Sequence, residues 1–324
     1  MAAPASLEAP VNLRATLVQL PLALALLACA GPAAAAVRVL VVSGLGGEAD
    51  YEQRFETLGS QIAQASLTVA GDAAHVQRLA GAAATATAVE SSLGTLAGAV
   101  ATGDQVIVVF IGHGSYDGTD YRLNLPGPDL TGARIGALLD RIPAAVPLLV
   151  INATSASGAM ASRWLKGNRV VITATKSAGE RNATRFATFW AKALVTAEAD
   201  RDKDETVTAA EAFDYASRQV AESFKADAAI ATEHPQLAGA DPARFVVARL
   251  GKGALYASDR ELQALRGEQT TLDDRLVGLR TRRAVLGDER YYTELEPVLS
   301  DIAKLDRRID AREQQLAAAS RGKP

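Results

Sequence analysis

The sequence of 324 residues contains little cysteine, few aromatic residues and no excess of one charge. Its single cysteine is Cys29, so the chain beyond that residue has no thiol for a disulfide or for thiolate chemistry. The formal net charge is -3, and so small an imbalance does not favour a polyanionic partner. We therefore expect no nucleic-acid binding. Aromatic residues make up 5% of the chain, so we expect packing that relies on small aliphatic side chains.

An apolar stretch near the N terminus is typical of an export signal. Residues 16–30 read TLVQLPLALALLACA, Arg14 precedes them, and an alanine run occupies residues 33–36. The letters Leu-Leu-Ala-Cys ending at Cys29 resemble a bacterial lipobox, which implies membrane anchoring by a lipid on that cysteine. The alanine run instead suits cleavage to a soluble product. We expect residues 1–36 to be a signal peptide or lipoprotein leader, and the protein to be exported, periplasmic or envelope-attached.

Beyond this leader, apolar β-branched runs alternate with segments of helical periodicity. The predicted strands are residues 37–43, 105–111, 147–152 and 169–174, and the predicted helices are residues 51–65, 85–101, 129–141, 157–166, 184–195 and 208–224. Such alternation is typical of a parallel sheet that is covered on both faces. We therefore predict an α/β fold with a mainly parallel sheet and helices on both faces, over residues 37–251.

The composition changes after Gly251, where residues 252–324 become rich in Leu, Arg, Glu and Asp. Apolar residues recur there at steps of three, four and seven, which predicts a C-terminal helical coiled coil. The seam residues are Leu262, Leu265, Leu272, Leu276, Leu279, Leu286, Leu295, Leu299, Ile302, Leu305, Ile309 and Leu316. Gly287-Asp288 and Pro297 bracket a break, which favours an antiparallel hairpin that self-associates or docks on a partner. The alternative is an amphipathic helix folded back on the domain.

Two of the predicted strands end in residues that can carry chemistry. His113 follows one strand between two glycines, and the strand at residues 147–152 leads into a Ser-rich turn that contains Ser155. Open α/β folds keep their sites at the carboxyl edge of the sheet. If the strands are neighbours, Ser155 and His113 can form a base-activated nucleophile. The alternatives are that His113 closes a turn and that the serine-rich turn caps the next helix.

The ordered series VRVLVVSG, VIVVFIGHGS, PLLVINATSASGAM and RVVITAT resembles the caspase/legumain clan of cysteine peptidases, particularly its bacterial legumain-type members. In that clan a histidine follows one strand as His-Gly, and the nucleophile follows the next strand as Ala-Cys-x-Ser-Gly. When Ser157-Gly158 is aligned to the end of that motif, the cysteine position falls on Ser155. The resemblance implies a caspase-like sheet, His113 as the base, and the amides of Gly114 and Ser155 as oxyanion donors.

The nucleophile position departs from the clan because it holds a serine. A serine hydroxyl needs a base to take its proton during attack, whereas a thiol ionises readily. The asparagine that supports the histidine in legumains also maps near Gly46, which offers no side chain. These departures predict an inactive or atypical peptidase-family protein with a peptide or protein ligand. The alternatives are a serine-dependent endopeptidase that uses Ser155 and His113, and an envelope scaffold or binding protein that acts through the coiled-coil tail.

A second constellation, in residues 200–211, has the oxygen spacing of an EF-hand loop. Side-chain oxygens occupy loop positions 1, 3, 5, 7, 9 and 12, supplied by Asp200, Asp202, Asp204, Thr206, Thr208 and Glu211. Glu205 takes the sixth position, where a glycine normally makes the sharp turn. We predict that calcium binds this loop in a structural role. The alternative is a solvated acidic loop that only caps the following helix.

The two remaining histidines carry no functional prediction. His234, in the sequence ATEHPQLAG, has no partner at metal-ligand spacing and is expected to lie in a turn. His75 is expected in an edge strand.

Overall fold

The computed structural model describes residues 35–321, so the predicted leader lies almost entirely outside the described residues. The strands are β1 (Val37–Ser43), β2 (Val76–Leu79), β3 (Gln105–Gly112), β4 (Gly114–Tyr116), β5 (Tyr121–Leu123), β6 (Leu130–Thr131), β7 (Leu148–Thr154), β8 (Arg169–Thr173), β9 (Thr206–Thr208), β10 (Gln236–Ala238) and β11 (Val246–Arg249). The helices are α1 (Ala49–Ala70), α2 (Ala86–Ala99), α3 (Gly132–Leu139), α4 (Ala161–Trp164), α5 (Phe186–Ala193), α6 (Ala209–Ala226), α7 (Gly251–Leu255), α8 (Arg260–Leu286) and α9 (Asp288–Arg321).

Six strands form one central sheet in the order β10-β8-β7-β3-β1-β2. The pairs β1–β2, β1–β3, β3–β7 and β7–β8 are parallel, and β10 pairs antiparallel with β8 at the edge. The predicted α/β fold with a mainly parallel sheet and a helical tail is confirmed. Strand β10 was not predicted, because its three residues are too few for a periodicity signal.

Each strand of the sheet contributes to two apolar layers because consecutive side chains point to opposite faces. On β3, Ile107 and Ile111 join the layer that contains the buried residues of α1, α5 and α6. Val108 and Phe110 join the opposite layer, with the buried residues of α2 and α3. Every residue of β3 is buried, which places this strand at the centre of the domain.

Helix boundaries follow local capping chemistry. Thr85 and Thr131 each accept a hydrogen bond from a first-turn amide of α2 and α3, respectively. Thr208 and Glu211 form a reciprocal capping box at the start of α6. Helix α1 continues beyond its predicted end and stops at Gly71, which adopts the left-handed conformation with φ 67°.

Two small antiparallel sheets flank the central one. Strands β4, β5 and β6 form a three-stranded sheet directly after the end of β3. Strands β9 and β11 pair with each other, so the acidic loop before β9 is joined to the strand that leads into the tail.

The tail is an antiparallel helical hairpin, formed by α8 and α9 with a turn at Gly287, where φ is 74°. Ion pairs link the two helices, at Arg312–Asp259 (2.8 Å), Arg308–Glu268 (2.8 Å) and Arg282–Glu294 (3.5 Å). The prediction of Leu299 as a seam residue is wrong, because its side chain is 46% exposed and Val298 is buried instead. The buried positions Tyr291, Val298 and Leu305 keep a seven-residue step, and Leu299 lies one residue, about 100°, further round the helix.

The hairpin also docks on the α/β domain, at the amino edge of the central sheet. Arg266 of α8 donates a 3.1 Å hydrogen bond to the carbonyl of Gly253, and a Cβ on Gly267 would lie 3.4 Å from the Ala35 amide nitrogen, just before β1. The sequence left two alternatives for the tail, an antiparallel hairpin and a helix folded back on the domain. The structure combines them, because the tail is a hairpin that packs on the domain. No helix within residues 35–321 is both long and apolar enough to cross a bilayer.

Candidate functional site

The ends of β3 and β7 bring His113 and Ser155 to neighbouring positions. The last pair of these parallel strands sets Gly112 opposite Thr154. His113 and Ser155 are the next residues, so they leave the sheet at the same level of its carboxyl edge. Side chains two residues apart along a strand share a face, so His113 lies on the same face as Ile111, and Ser155 on the same face as Ala153. That face is the one covered by α1 and α5.

The backbone around these two positions is packed too tightly for an additional side chain. A Cβ on Gly114 would lie 2.4 Å from the Ser155 carbonyl oxygen and 2.6 Å from the Tyr121 ring. Gly112 has a φ of 144°, a conformation that favours glycine. The glycines on either side of His113 therefore allow the turn from β3 into β4 to approach the Ser155 backbone.

The His113 ring packs against the first turns of α1. Its centroid lies 4.8 Å from that of Tyr51 and 5.1 Å from that of Phe55, both in edge-on geometry. Burial lowers the pKa of His113, while the neighbouring Gly46 backbone and the Glu48 carboxylate act to raise it. The ring is therefore mainly neutral near pH 7 and keeps a nitrogen lone pair that can accept a proton.

Ser155 itself is enclosed, with only 1% of its surface exposed. The next residue, Ala156, has a φ of 55°, which costs a non-glycine residue about 1–2 kcal/mol. Its amide donates a 2.8 Å hydrogen bond to the carbonyl of Glu180, in the segment after β8. A contact from another part of the chain therefore holds the turn at Ser155.

The Ser-Gly pair that carries the alignment with the caspase/legumain clan has a packing role. The Ser157 hydroxyl lies 3.1 Å from the Thr175 hydroxyl, and a Cβ on Gly158 would lie 2.3 Å from the Ser177 amide nitrogen. These contacts fasten the turn after β7 to the segment after β8. The alternative that the turn's hydroxyl groups cap the next helix does not hold, because the short helical segment after Ala156 has no side-chain cap.

A buried polar network supports this turn from the opposite face of the sheet. The Tyr121 and Thr154 hydroxyl oxygens are 2.6 Å apart, and Thr154 donates a 2.8 Å hydrogen bond to the side-chain oxygen of Asn152. Burial raises the pKa of Tyr121 to about 12, so the phenol stays neutral. The network fixes the Thr154 end of β7, directly before Ser155.

Three residues to which the sequence assigned no function, Glu180, Glu233 and His234, hold the same edge together. The ring Nδ1 of His234 donates to the carboxylate of Glu180, and the His234 amide donates to that carboxylate at 3.2 Å. Glu233 is 4% exposed and accepts hydrogen bonds from the amides of Arg185 (2.7 Å) and Phe186 (2.8 Å) at the start of α5. Burial raises the pKa of Glu233 to about 7, against the lowering effect of these amides. The only indication in the sequence was the adjacent pair Glu233-His234, and it did not show which residues the pair would contact.

In the acidic loop the three aspartates come together. Ligand oxygens of Asp200, Asp202 and Asp204 all lie within 4.8 Å of one another. Lys203 and Glu205 adopt left-handed conformations with φ of 61° and 62°, so Glu205 makes the turn for which an EF-hand normally uses glycine. Burial and the neighbouring carboxylates raise the pKa of Asp202, which shows that negative charge is crowded there.

The other predicted ligands are engaged in local hydrogen bonds. Thr206 donates to Asp204 at 2.6 Å, and the Glu211 carboxylate accepts from the amides of Arg201 (3.0 Å) and Thr208 (2.9 Å). The sequence alternative of a loop that caps the following helix is therefore realised by Thr208 and Glu211. The structure brings the three aspartates together, with the Thr206 hydroxyl beside Asp204, and leaves Glu211 in the helix cap.

Glu205 also links this loop to the tail. Its carbonyl accepts a 2.8 Å hydrogen bond from the amide of Leu250, and its carboxylate accepts one of 3.3 Å from the amide of Lys252, in the first turn of α7. The residue that replaces the EF-hand glycine thus contacts the segment that leads into α8.

Two clefts lie at the junction of the domain and the tail. Their volumes are about 290 and 600 Å³, and Asp204, Thr206 and Arg249 line both. Neither is lined by His113 or Ser155. The two clefts therefore lie apart from His113 and Ser155.

Comparison with known proteins adds little beyond the fold. No family model matches the chain, and no curated protein matches it. Among solved structures, it is similar to the protein GSU0716 of Geobacter sulfurreducens, with 13% identity and a TM-score of 0.41 over 63% of this chain and 94% of that one. It is also similar to caspase-1 of Spodoptera frugiperda, with 10% identity and a TM-score of 0.43 over 63% of this chain and 88% of that one. Both similarities are too distant to carry an argument, and the fold assignment rests on the sheet topology.

Proposed function

We propose that this chain is a caspase/legumain-type pseudopeptidase, a peptidase-like protein that binds a peptide or protein ligand without cleaving it. The observation that carries the proposal is the pair His113 and Ser155. They occupy adjacent strand ends on one face of the sheet, as the clan resemblance requires, but the Ser155 hydroxyl is buried. A nucleophile needs access to a substrate carbonyl as well as a base.

The chemistry of serine supports the same proposal. A Ser–His pair depends on a third group that orients the imidazole, and the contacts of the His113 ring are with Tyr51, Phe55 and the Gly46 backbone. The Glu48 carboxylate acts on the ring only through its charge, and no carboxylate or amide side chain within residues 35–321 forms a hydrogen bond with it. A hydroxyl with such a base is a poor nucleophile even when it is exposed.

The test is cleavage of a peptide library by the full chain, beside Ser155→Ala, His113→Ala and Ser155→Cys. We expect the parent to cleave no more than Ser155→Ala does. Cleavage by the parent that is lost in both alanine variants would overturn the proposal and establish the serine-dependent endopeptidase. Cleavage gained only in Ser155→Cys would show that the site lacks nothing but the thiol.

A second candidate function is a scaffold that acts through the tail. Large apolar side chains are exposed along the hairpin, with Val285 at 87%, Tyr292 at 54% and Leu299 at 46%. Isolated exposed apolar residues are common, but three on one hairpin favour a protein partner or a second copy of the chain.

Binding from a displayed peptide library separates the two candidates. Ser115→Arg alters an exposed residue beside the carboxyl edge, and Tyr292→Glu is the matched change on the tail. Loss of binding only in Ser115→Arg supports the pseudopeptidase. Loss only in Tyr292→Glu, or a dimer in light scattering that this variant dissociates, supports the scaffold.

We also propose calcium as a structural ligand of the acidic loop. Crowded carboxylate oxygens and a left-handed turn at Glu205 support it, although Glu211 would have to leave its helix cap to complete the site. Titration of the full chain with calcium should raise the melting temperature, with Asp202→Asn as the control that weakens binding. An unchanged melting temperature at millimolar calcium would leave the loop as a helix cap alone.

Export and the lipid on Cys29 remain predictions, since they concern residues outside those the structure describes.

A further inference from the structure

A short segment after β8 brackets Ser155, and we call residues 180–184 the strap. At one end the Thr184 hydroxyl donates a 2.7 Å hydrogen bond to the carbonyl of Ala153. At the other end the Glu180 carbonyl accepts a 2.8 Å hydrogen bond from the amide of Ala156. The strap is thus attached to β7 two residues before Ser155 and to the turn one residue after it.

The two ends of the strap are held differently. Thr184 is 7% exposed, and its carbonyl accepts a 3.1 Å hydrogen bond from Arg54 of α1. The chain then enters α5, whose first amides are held by the buried Glu233. This end is part of the core and has no simple way to open.

The other end depends on the Glu180 carboxylate. It accepts hydrogen bonds from the amides of Lys176 (2.9 Å) and His234 (3.2 Å), and from the His234 ring. The Glu180 side chain is 10% exposed and that of His234 is 42% exposed. A partly exposed, charge-assisted cluster opens more readily than a buried end, because water can replace its partners.

The side chains in the middle of the strap face the solvent. Arg181 and Asn182 are both exposed, so neither side chain is committed to the core. Release of the Glu180 end would therefore free the amide of Ala156 and uncover one side of Ser155.

We infer that the strap gates access to Ser155 and that the Glu180–His234 cluster holds the gate closed. A peptide ligand reaches Ser155 only after the Glu180 end is released. The inference rests on the proposed function in one respect: it takes Ser155 to be the position that a ligand must reach. His234 acts through Glu180 and is a positioning residue.

Thiol accessibility tests the gate without any need for activity. The full chain carrying Cys29→Ser and Ser155→Cys has one thiol, at the position of interest. In this chain we expect iodoacetamide to modify the introduced thiol at least tenfold more slowly than it does after unfolding in urea. Adding Glu180→Ala should raise the native rate by about tenfold to a hundredfold, the effect expected when a charge-assisted hydrogen-bond cluster is lost from an opening equilibrium.

His234→Gln is the second variant, because its side chain is partly exposed and its loss is less disruptive to folding. It should raise the rate in the same direction, by about threefold to tenfold, since one hydrogen bond of the cluster is lost. Asn182→Ala, in the exposed middle of the strap, is the matched control and should change nothing. Circular dichroism and a cooperative melt establish that each variant is folded.

Two outcomes overturn the inference. One is an introduced thiol that reacts as fast in the native chain as in the unfolded one, because the strap then provides no barrier. The other is a protected thiol whose rate is the same with and without His234→Gln in the folded chain. Failure of the proposed function is a separate result, since peptide cleavage or peptide binding enters none of these rates.

Discussion

The two edges of the central sheet differ in how their polar groups are satisfied. At the carboxyl edge, Ser155, Ser157 and Thr175 are almost fully buried; the Ser157 and Thr175 hydroxyls lie 3.1 Å apart, and the Thr154 hydroxyl lies 3.2 Å from the Ser155 carbonyl oxygen. At the amino edge, charged side chains such as Arg249 and Asp204 line clefts between the domain and the tail. The residues that carry the peptidase resemblance, His113 and Ser155, therefore lie at the edge of the sheet opposite to the clefts beside the tail. The two candidate functions can therefore be tested separately.

The largest expected effect breaks the closed edge through Gly158. A Cβ there would lie 2.3 Å from the Ser177 amide nitrogen and 2.4 Å from the Lys176 carbonyl carbon, which are backbone atoms with little freedom to shift. We expect Gly158→Ala to lower the free energy of unfolding by about 3 kcal/mol, measured by urea denaturation. Gly98→Ala is the control, because an added Cβ meets nothing within 4 Å in α2 and should stabilise by roughly 0.5–1 kcal/mol. Equal effects of the two changes would show that the edge is loosely packed.

The second prediction concerns the pH dependence of the same edge. The pKa of Glu233 is raised to about 7 in the folded chain, above its ordinary value of 4.5. The protonated form is therefore favoured on folding, and its stabilisation is complete below about pH 4.5 and is lost as the pH rises through about 7. Relative to Glu233→Gln, the parent should lose on the order of 2–3 kcal/mol between these limits.

Urea denaturation of both chains at pH 4.5, 6 and 8 gives this difference directly. A difference that stays constant with pH would mean that Arg54 and the amides of Arg185 and Phe186 keep the carboxylate ionised throughout.

The third prediction breaks the junction at the amino edge. Arg266 is 9% exposed and bonds to the Gly253 carbonyl and, at 3.1 Å, to Glu313 of α9. Arg266→Met should cost about 2 kcal/mol in local stability, because it leaves the carboxylate and the carbonyl without their donor. Hydrogen exchange should locate the loss in α8 and α9, with β3 unchanged. Arg308→Met removes the exposed ion pair with Glu268 and should cost less than about 0.5 kcal/mol.

The smallest expected effect is a difference in salt dependence between the hairpin and the carboxyl edge of the sheet. The hairpin is linked by exposed ion pairs, whereas the carboxyl edge is held by buried hydrogen bonds. Raising the salt concentration from 0.05 to 1 M should therefore weaken hairpin protection by about 1 kcal/mol or less and leave the amides of β3 and β7 unaffected. Hydrogen exchange at the two concentrations measures both. A uniform change across the chain would contradict the contrast.

Much of the fold could be predicted because its signals are local. The runs at β1, β3, β7 and β8 are continuous and apolar, as strands buried on both faces must be. The predicted helix start at residue 85 coincides with the N-cap Thr85, whereas the start predicted at residue 129 lies two residues before the N-cap Thr131. Strand β10 and the seam position of Val298 were missed, since a short strand and a one-residue helical phase are decided by packing against other elements.

The candidate site shows the same division more sharply. Sequence order and spacing identified His113 and Ser155, and the acidic spacing identified Asp200, Asp202 and Asp204. The sequence did not indicate that the segment after β8 is hydrogen-bonded to the turn after Ser155, and it left open whether Glu211 binds calcium or caps the following helix. The first feature depends on a contact between segments that are far apart in the sequence. The second depends on whether the cation or the helix cap takes the Glu211 carboxylate.

The sequence by itself determined the α/β alternation, the helical tail and the residue types at the strand ends, because periodicity and capping act over a few neighbouring residues. Only the tertiary structure decided that Ser155 is enclosed, that Glu180 and His234 meet, and that the tail docks at the edge opposite the candidate site. The physical reason is that burial and long-range hydrogen bonds belong to pairs of segments, which no local pattern specifies.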